Sequence, residues 1–132
     1  MGLDTYLARD PGAAEWLDAP EPGHSGLTAG DLAALADLAP ALCEWVIDGD
    51  WVSFRGKVYA AVVAEVAETG LYREWIAPEE AAEMAAAFAA CDPEAVAASM
   101  QLVRYVVSAR EVRALRALFA LCAERGIGLI GA

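Results

Sequence analysis

Positive charge is scarce in this sequence. Its 132 residues include nine lysines and arginines, of which Lys57 is the only lysine, against twenty aspartates and glutamates. The formal net charge of −11 repels nucleic-acid phosphates and anionic membranes, because binding to either needs a basic surface that releases counterions. We therefore expect neither a nucleic acid nor a membrane among its partners.

Histidine and cysteine, the usual metal ligands, are also scarce. His24 is the only histidine and lies in a loop rich in proline and glycine, and the three cysteines, Cys43, Cys91 and Cys122, form no Cys-x-x-Cys pair. This spacing argues against a disulfide framework and a zinc site. We predict no metal, no cofactor and reduced cysteines that pack as small apolar side chains. No catalytic residue stands out, because a lone loop histidine is usually solvated and no Gly-x-Ser-x-Gly motif accompanies it, so whether the protein is an enzyme stays open.

Long apolar runs are missing as well. The most apolar run, residues 58–64, is far shorter than the roughly 18 residues that a membrane helix needs. The N-terminus has no basic region followed by an apolar one, as a secretory signal would have. From this pattern we expect a cytoplasmic protein.

Alanine and other apolar residues, by contrast, are abundant. The sequence is 58% hydrophobic and 22% charged, which is not the composition of a disordered chain. Its length suits a single domain, residues 1–132, that can bury roughly two thirds of its unfolded surface. Because alanine favours helices but buries little area, the few large side chains among the alanines should anchor the core.

Several helices are predicted from apolar residues at helical spacing. The best defined is the last one, which begins at the capping box Ser108-Ala109-Arg110-Glu111 and should direct Leu115 and Phe119 into the core. Other helices are predicted after Thr28 or from Gly30-Asp31, over residues 41–47, from about residue 57 to Gly70, from Pro78, and from Asp92 to about Met100.

Three strands complete the predicted fold. The first covers residues 2–9, where apolar and polar residues alternate, the second covers residues 102–107, which are rich in β-branched residues, and the third covers residues 127–130. The second and third strands flank the last helix and could form a β-α-β unit with it. The sequence therefore predicts an α+β domain, rich in helix, with a small sheet packed against amphipathic helices.

One part of the sequence is similar to a known family. The stretch Ile76-Ala77-Pro78-Glu79-Glu80-Ala81-Ala82-Glu83-Met84, together with Cys91-Asp92-Pro93-Glu94 and the apolar helix and strand over residues 118–130, resembles the C-terminal half of the YfbM-like domain. That family consists of small, uncharacterised bacterial α+β proteins. The resemblance covers about half of the chain and implies a fold without implying an activity.

Charge is unevenly distributed along the chain. Residues 1–50 contain ten carboxylates and a single cation, Arg9, so one face or end of the fold should be strongly negative. This acidic surface either keeps the protein in solution or docks a basic protein partner. On the last helix, Arg110, Arg113 and Arg116 form a basic stripe that either is solvated and paired internally or meets an acidic surface, such as that of a second copy in a homodimer.

A candidate ligand-binding site lies around Trp51, Arg55, Lys57 and Tyr59. Here the only lysine and an arginine flank a glycine at the start of a predicted helix, whose free amides attract anions. The two cations could hold a phosphate or carboxylate while one aromatic ring covers an apolar part of the ligand. The alternative is that the aromatic rings pack in the core and the cations pair with nearby carboxylates, at Asp48, Asp50 or Glu65.

Two functions stay open at this point. The sequence favours a non-enzymatic cytosolic interaction or regulatory protein with an acidic N-terminal face, because no nucleophile, metal-ligand set or phosphate-binding loop stands out. The alternative is a small-anion or small-ligand binding protein, or a minor enzyme, with its site at residues 51–59.

Overall fold

Helices dominate the structure, a computed structural model that describes residues 4–38, 41–71 and 73–131. Within these ranges the helices are a 3₁₀ helix at Pro11–Trp16, α1 at Ala29–Ala36, α2 at Gly56–Ala67, α3 at Pro78–Ala89, α4 at Pro93–Leu102 and α5 at Ala109–Arg125. The strands are β1 at Thr5–Ala8, β2 at Val46–Asp48, β3 at Trp51–Phe54 and β4 at Gly128–Gly131. This architecture confirms the predicted α+β domain, rich in helix and with a small sheet. None of these helices is long and apolar enough to span a membrane.

The four strands form one antiparallel sheet in the order β2-β3-β1-β4. Strand β1 is central, because Thr5 pairs with Phe54 of β3 on one side and with Gly131 of β4 on the other. Thr5 and Leu7 are both buried, as the alternation of the sequence indicates. The first and last predicted strands are therefore confirmed, although residues 2 and 3 of the first lie outside the described residues.

The predicted strand over residues 102–107 is wrong. Helix α4 continues to Leu102, and the chain then closes the helix end: Arg104 has a φ of 68°, and the amide of Tyr105 donates to the carbonyl of Met100 at 2.9 Å. These are the features of a Schellman motif, in which glycine usually stands where Arg104 does. The β-branched residues favour an extended chain, but a strand also needs a hydrogen-bonded neighbour, and none of the described strands runs beside this segment. The predicted β-α-β unit is wrong too, since β4 pairs antiparallel with β1.

The predicted short helix over residues 41–47 is also wrong. Residues Val46–Asp48 form β2, which pairs with β3 across the two-residue loop of Gly49 and Asp50. Gly49 has a φ of 63°, a conformation that such hairpin loops require and that glycine adopts without strain. Cross-strand pairing thus overrides the helical spacing of the apolar residues, while the turn predicted at residues 48–50 is confirmed.

The main core lies between one face of the sheet and the helices. Phe88 of α3 and Phe119 of α5 pack with ring centroids 5.4 Å apart, and both side chains are fully buried, as is Leu115. Helix α5 begins with the predicted capping box: the Ser108 hydroxyl accepts from the Glu111 amide at 3.1 Å, and the Glu111 carboxylate accepts from the Ser108 amide at 3.0 Å. The core positions predicted for this helix are confirmed.

A smaller apolar layer covers the other face of the sheet. Trp51 and Ile130 are buried there together with Ala8 and Ala13, and the partly buried side chains of Trp16, Leu17, Tyr6 and Trp75 pack against them. The sheet therefore separates Trp51 from the main core.

Candidate functional site

The four residues of the predicted ligand site do not line one pocket. Trp51 is buried in the smaller apolar layer, where its indole nitrogen donates to the carbonyl of Glu21 at 3.0 Å. Tyr59 is fully buried in the main core. Arg55 and Lys57 stay together at the start of α2, where Lys57 is exposed. Both cations are thus at the start of α2, and the two aromatic side chains are buried in different apolar layers.

Residues at the start of α2 already have contacts within the fold. Arg55 pairs with Glu44 at 3.2 Å, rather than with the three carboxylates considered from the sequence. Gly56 packs so closely against β1 that a Cβ atom at this position would collide with Oγ1 of Thr5. The absence of a side chain at Gly56 therefore allows α2 to approach Thr5 of β1 closely. The binding of a small anion at this position stays a prediction.

Tyr59 instead connects three segments of the fold. Its hydroxyl donates to the Glu111 carboxylate at 2.5 Å and accepts from the Cys43 amide at 2.7 Å. Burial and the hydrogen bond to Glu111 raise the pKa of Tyr59, because ionisation would place a second negative charge beside that carboxylate. The hydroxyl is thus a neutral structural group at physiological pH.

Replacing Tyr59 by phenylalanine should lower the free energy of unfolding by about 1–3 kcal/mol, because the Cys43 amide and the Glu111 carboxylate each lose a buried partner. Urea denaturation measures the change. The control is Tyr105→Phe, since that ring is 50% exposed, and it should change stability by less than about 0.5 kcal/mol. Equal stability of the two variants would contradict the role of the Tyr59 hydroxyl.

The cysteines and the histidine lie apart from one another. The structure contains no disulfide among Cys43, Cys91 and Cys122. Burial raises the pKa of Cys122 to about 12, so this thiol stays protonated and unreactive at neutral pH. His24 stacks on Trp16 with ring centroids 3.7 Å apart. Among the described residues, no group of three histidine, cysteine or acidic side chains is placed to hold a metal ion.

A groove is present beside the smaller apolar layer. It has a volume of about 330 Å³ and is lined by Pro11, Ala14, Leu17, Glu74, Trp75, Ile130 and Gly131. The Trp75 ring lies directly over Gly128, where a Cβ atom would collide with it. The volume is that of a small-ligand pocket, but the lining contains one carboxylate and no cation. It therefore does not suit the small anion predicted for Arg55 and Lys57.

An exposed apolar surface connects α4 to α5. Four of the six exposed large apolar side chains in the described ranges lie here: Leu102 (86% exposed), Val103 (60%), Tyr105 (50%) and Val106 (90%). We call residues 102–106 the apolar segment. Its neighbours Met100 and Val107 are buried, so both of its ends are anchored in the core. Single exposed apolar residues are ordinary, whereas large contiguous exposed apolar patches are typical of interaction sites.

Unpaired cations accompany the apolar segment. Five of the nine cations form ion pairs within the part of the chain that the structure describes, among them Arg113, which pairs with Glu94. Arg104, within the segment, and Arg110 and Arg116, on α5, form none there. The predicted basic stripe is thus partly paired internally, and of its free cations Arg110 is the one near the apolar segment in sequence.

The acidic part of the sequence, residues 1–50, also forms exposed surface. Arg9, its only cation, pairs with the buried Asp31 at 2.5 Å. Seven of the ten carboxylates in residues 1–50 are exposed: Asp10, Glu15, Asp18, Glu21, Asp37, Glu44 and Asp48. The last two flank Val46 and Ile47 of β2, which are 49% and 40% exposed. Val46 and Ile47 are the remaining two of the six exposed large apolar side chains among the described residues.

Sequence reasoning missed the apolar segment. Its β-branched residues predicted a strand, and a strand would have been half buried. One signal was present, since residues 102–107 lack the strict alternation of apolar and polar residues that a half-buried strand shows.

Relatives offer no further guide to these surfaces. Comparisons of this chain with protein-family models, with curated protein sequences and with solved structures find no match, so the resemblance to the YfbM-like domain stays a prediction.

Proposed function

We propose that the protein is a non-enzymatic interaction protein of the cytosol, and that it binds a protein partner through the apolar segment. The observation that carries this proposal is the contiguous exposure of Leu102, Val103, Tyr105 and Val106. Burying such surface is favourable by roughly 25 cal/mol per Å², so a partner that covers it gains binding free energy. The three free cysteines suit a reducing compartment.

The geometry of the segment favours binding without large rearrangement. The anchored residues Met100 and Val107 and the hydrogen bond from Tyr105 to Met100 fix the backbone at both ends. A surface that is ordered before binding loses less conformational entropy when the complex forms.

The surrounding charge indicates the chemistry of the partner surface. Arg104 and Arg110 have no carboxylate partner among the described residues, so a complementary surface combines apolar side chains with carboxylates. Such charges at the edge of an interface act mainly on orientation and association rate.

The acidic face of residues 1–50 is a second docking surface in this proposal. Its exposed carboxylates suit a basic protein partner, and binding there should weaken as salt rises, because exposed charges are screened beyond roughly 8 Å at physiological ionic strength.

The test is crosslinking inside cells. A photo-crosslinking phenylalanine analogue in place of Val106 should yield a discrete protein adduct, because the side chain at this position lies within the proposed interface. The same analogue in place of Ala86, which is exposed on α3, is the control and should yield none. If position 106 gives no adduct, or the same adducts as position 86, the apolar segment is not a docking surface.

A further inference from the structure

We infer that the partner of the apolar segment is a second copy of this chain, and that residues 105–107 of each protomer, which follow the turn at Arg104, add as a strand to the free edge of β2 in the other. This inference rests on the proposed function, because it names the partner of the same surface. Four observations support it: a free strand edge, a segment with unpaired backbone amides, opposite charge on the two, and a chain of hydrogen bonds that connects the residues next to them.

The free edge belongs to β2, the outermost strand of the sheet. In the hairpin, Asp48 pairs with Trp51 beside the two-residue loop, and Ile47 pairs with Val52. The pair next to such a loop exchanges the ladder hydrogen bonds, so Ile47 directs its own N–H and C=O away from β3, towards the edge. Ile47 and its neighbour Val46 are also exposed. This edge therefore offers both backbone groups and apolar side chains to an added strand.

The apolar segment leads into backbone without a hydrogen-bonded partner. Residues 105–107 have no regular secondary structure, and the amides of Val106 and Val107 have no backbone hydrogen bond within the described chain. Val106 is 90% exposed while Val107 is 7% exposed, so these two neighbouring side chains point in different directions. Their β-branched side chains fit a pleated sheet. Successive N–H groups of a strand point to opposite edges, so pairing with β2 would supply a partner for one of the two amides, which we assign to the exposed Val106.

The two surfaces have opposite charge. Glu44 and Asp48 flank the exposed residues of β2, and both carboxylates are exposed, but Glu44 already pairs with Arg55, so Asp48 supplies the free negative charge. Arg104 lies in the apolar segment and Arg110 follows it, and neither has an ion pair among the described residues. All six exposed large apolar side chains of those residues belong to one surface or the other. Apolar and charged groups on the two surfaces are therefore complementary.

A chain of hydrogen bonds connects the residues next to the two surfaces. The amide of Cys43, three residues before β2, donates to the Tyr59 hydroxyl, and this hydroxyl donates to the Glu111 carboxylate in α5. The same carboxylate accepts from the amide of Ser108, two residues after the apolar segment. When one molecule contains both a surface and its complement, two copies can pair reciprocally about a two-fold axis. Reciprocal pairing closes the assembly at two copies and avoids an open chain.

Sedimentation measurements test self-association. Wild-type protein should form a dimer of twice the 13.9 kDa chain, and the dimer should dissociate on dilution and at raised salt. Ile47→Asp and Val106→Asp should each raise the dissociation constant by at least about tenfold, because each places a charge within both reciprocal contacts. Ala86→Asp, on the exposed face of α3, is the matched control and should sediment as wild type. Urea denaturation of each variant at low concentration confirms that it is folded.

Amide hydrogen exchange tests strand addition itself. The amides of Ile47 and Val106 should exchange at least about tenfold more slowly in the dimer than at a dilution where the monomer predominates, because both gain partners only in the dimer. A dimer that persists in Ile47→Asp, or an Ile47 amide that exchanges equally fast in both states, would overturn the pairing with β2.

The outcomes separate this inference from the proposed function. A wild-type chain that stays monomeric, with position 106 crosslinked to a different protein, overturns the second copy as partner and leaves the proposed function standing. A monomer without any adduct at position 106 overturns both.

Discussion

Replacing Asp31 by asparagine should lower the free energy of unfolding by about 3 kcal/mol, because the change removes the buried charge that two guanidinium groups share. Asp31 is 1% exposed, and its two oxygens accept from Arg9 at 2.5 Å and from Arg125 at 2.7 Å. The carboxylate also accepts from the Thr28 amide at 2.8 Å in the capping box of α1. Asparagine keeps the size of the side chain and an oxygen for the cap, so the loss reports mainly on the charge. The expected loss of unfolding free energy is at the lower end of the range for breaking a buried ion pair, because both arginine side chains remain about one third exposed.

The same carboxylate should make stability depend on pH. Burial by itself raises the pKa of Asp31, but hydrogen bonds from Thr28, Arg125 and Arg9 outweigh burial and hold this pKa well below its ordinary value of 3.8. The unfolded chain therefore takes up the proton first as pH falls. The stabilisation by Asp31 is fully present above the pKa of the unfolded state and is lost as the pH decreases below about 4.

Urea denaturation between pH 3 and pH 7 checks both effects. The gap in unfolding free energy between wild type and Asp31→Asn should be constant near neutral pH and should narrow in acid. Asp37→Asn is the control, since Asp37 is exposed at the end of α1, and it should change stability by less than about 0.5 kcal/mol. A gap that is absent at neutral pH, or that widens in acid, would show that the ion pairs make no net contribution.

Replacing Phe119 by alanine should lower the free energy of unfolding by about 3–5 kcal/mol. The side chain is fully buried and packs against Phe88, so its removal loses the transfer free energy of the ring and leaves a cavity between α3 and α5. These two helices form the most extensive contact between elements of the fold. Neighbouring side chains are held in helices and cannot easily move into the space.

Thermal or urea unfolding measures this loss, and Arg116→Ala provides the control on the same helix. Arg116 is exposed and forms no ion pair within the described residues, so its replacement should cost less than about 0.5 kcal/mol at a concentration where the chain is monomeric. A Phe119→Ala variant with the unfolding midpoint of wild type would mean that this side chain is not in the core.

Helix boundaries were the part of the fold that the sequence predicted best. Ser108 and Glu111 form the predicted capping box, Pro78 begins α3, and Gly126 ends α5 with a φ of 69°. Each of these signals acts between residues three or four positions apart, so the local sequence contains the whole interaction. The apolar face of α5 was predicted for the same reason, because its apolar residues also recur three or four positions apart.

The candidate site follows less directly from the sequence. Arg55 and Lys57 are both at the start of α2, and the aromatic residues near them in sequence belong to the apolar layers on the two sides of the sheet. Trp51 packs in the smaller layer, whereas α2 packs in the main core on the other side of the sheet, so proximity in sequence does not place Trp51 beside the cations. The apolar segment was visible as a run of apolar residues, but its exposure was not.

The sequence by itself determined the helix-rich α+β class, the caps of its helices and the acidic character of its first fifty residues, because composition and short-range hydrogen bonds are sufficient for these. Only the tertiary structure decided that residues 46–48 pair as a strand, that residues 102–106 face the solvent, and that Asp31 is buried against Arg125, 94 positions away. Burial and pairing depend on which distant segments pack beside a residue, and the spacing of its neighbours in sequence does not contain that information.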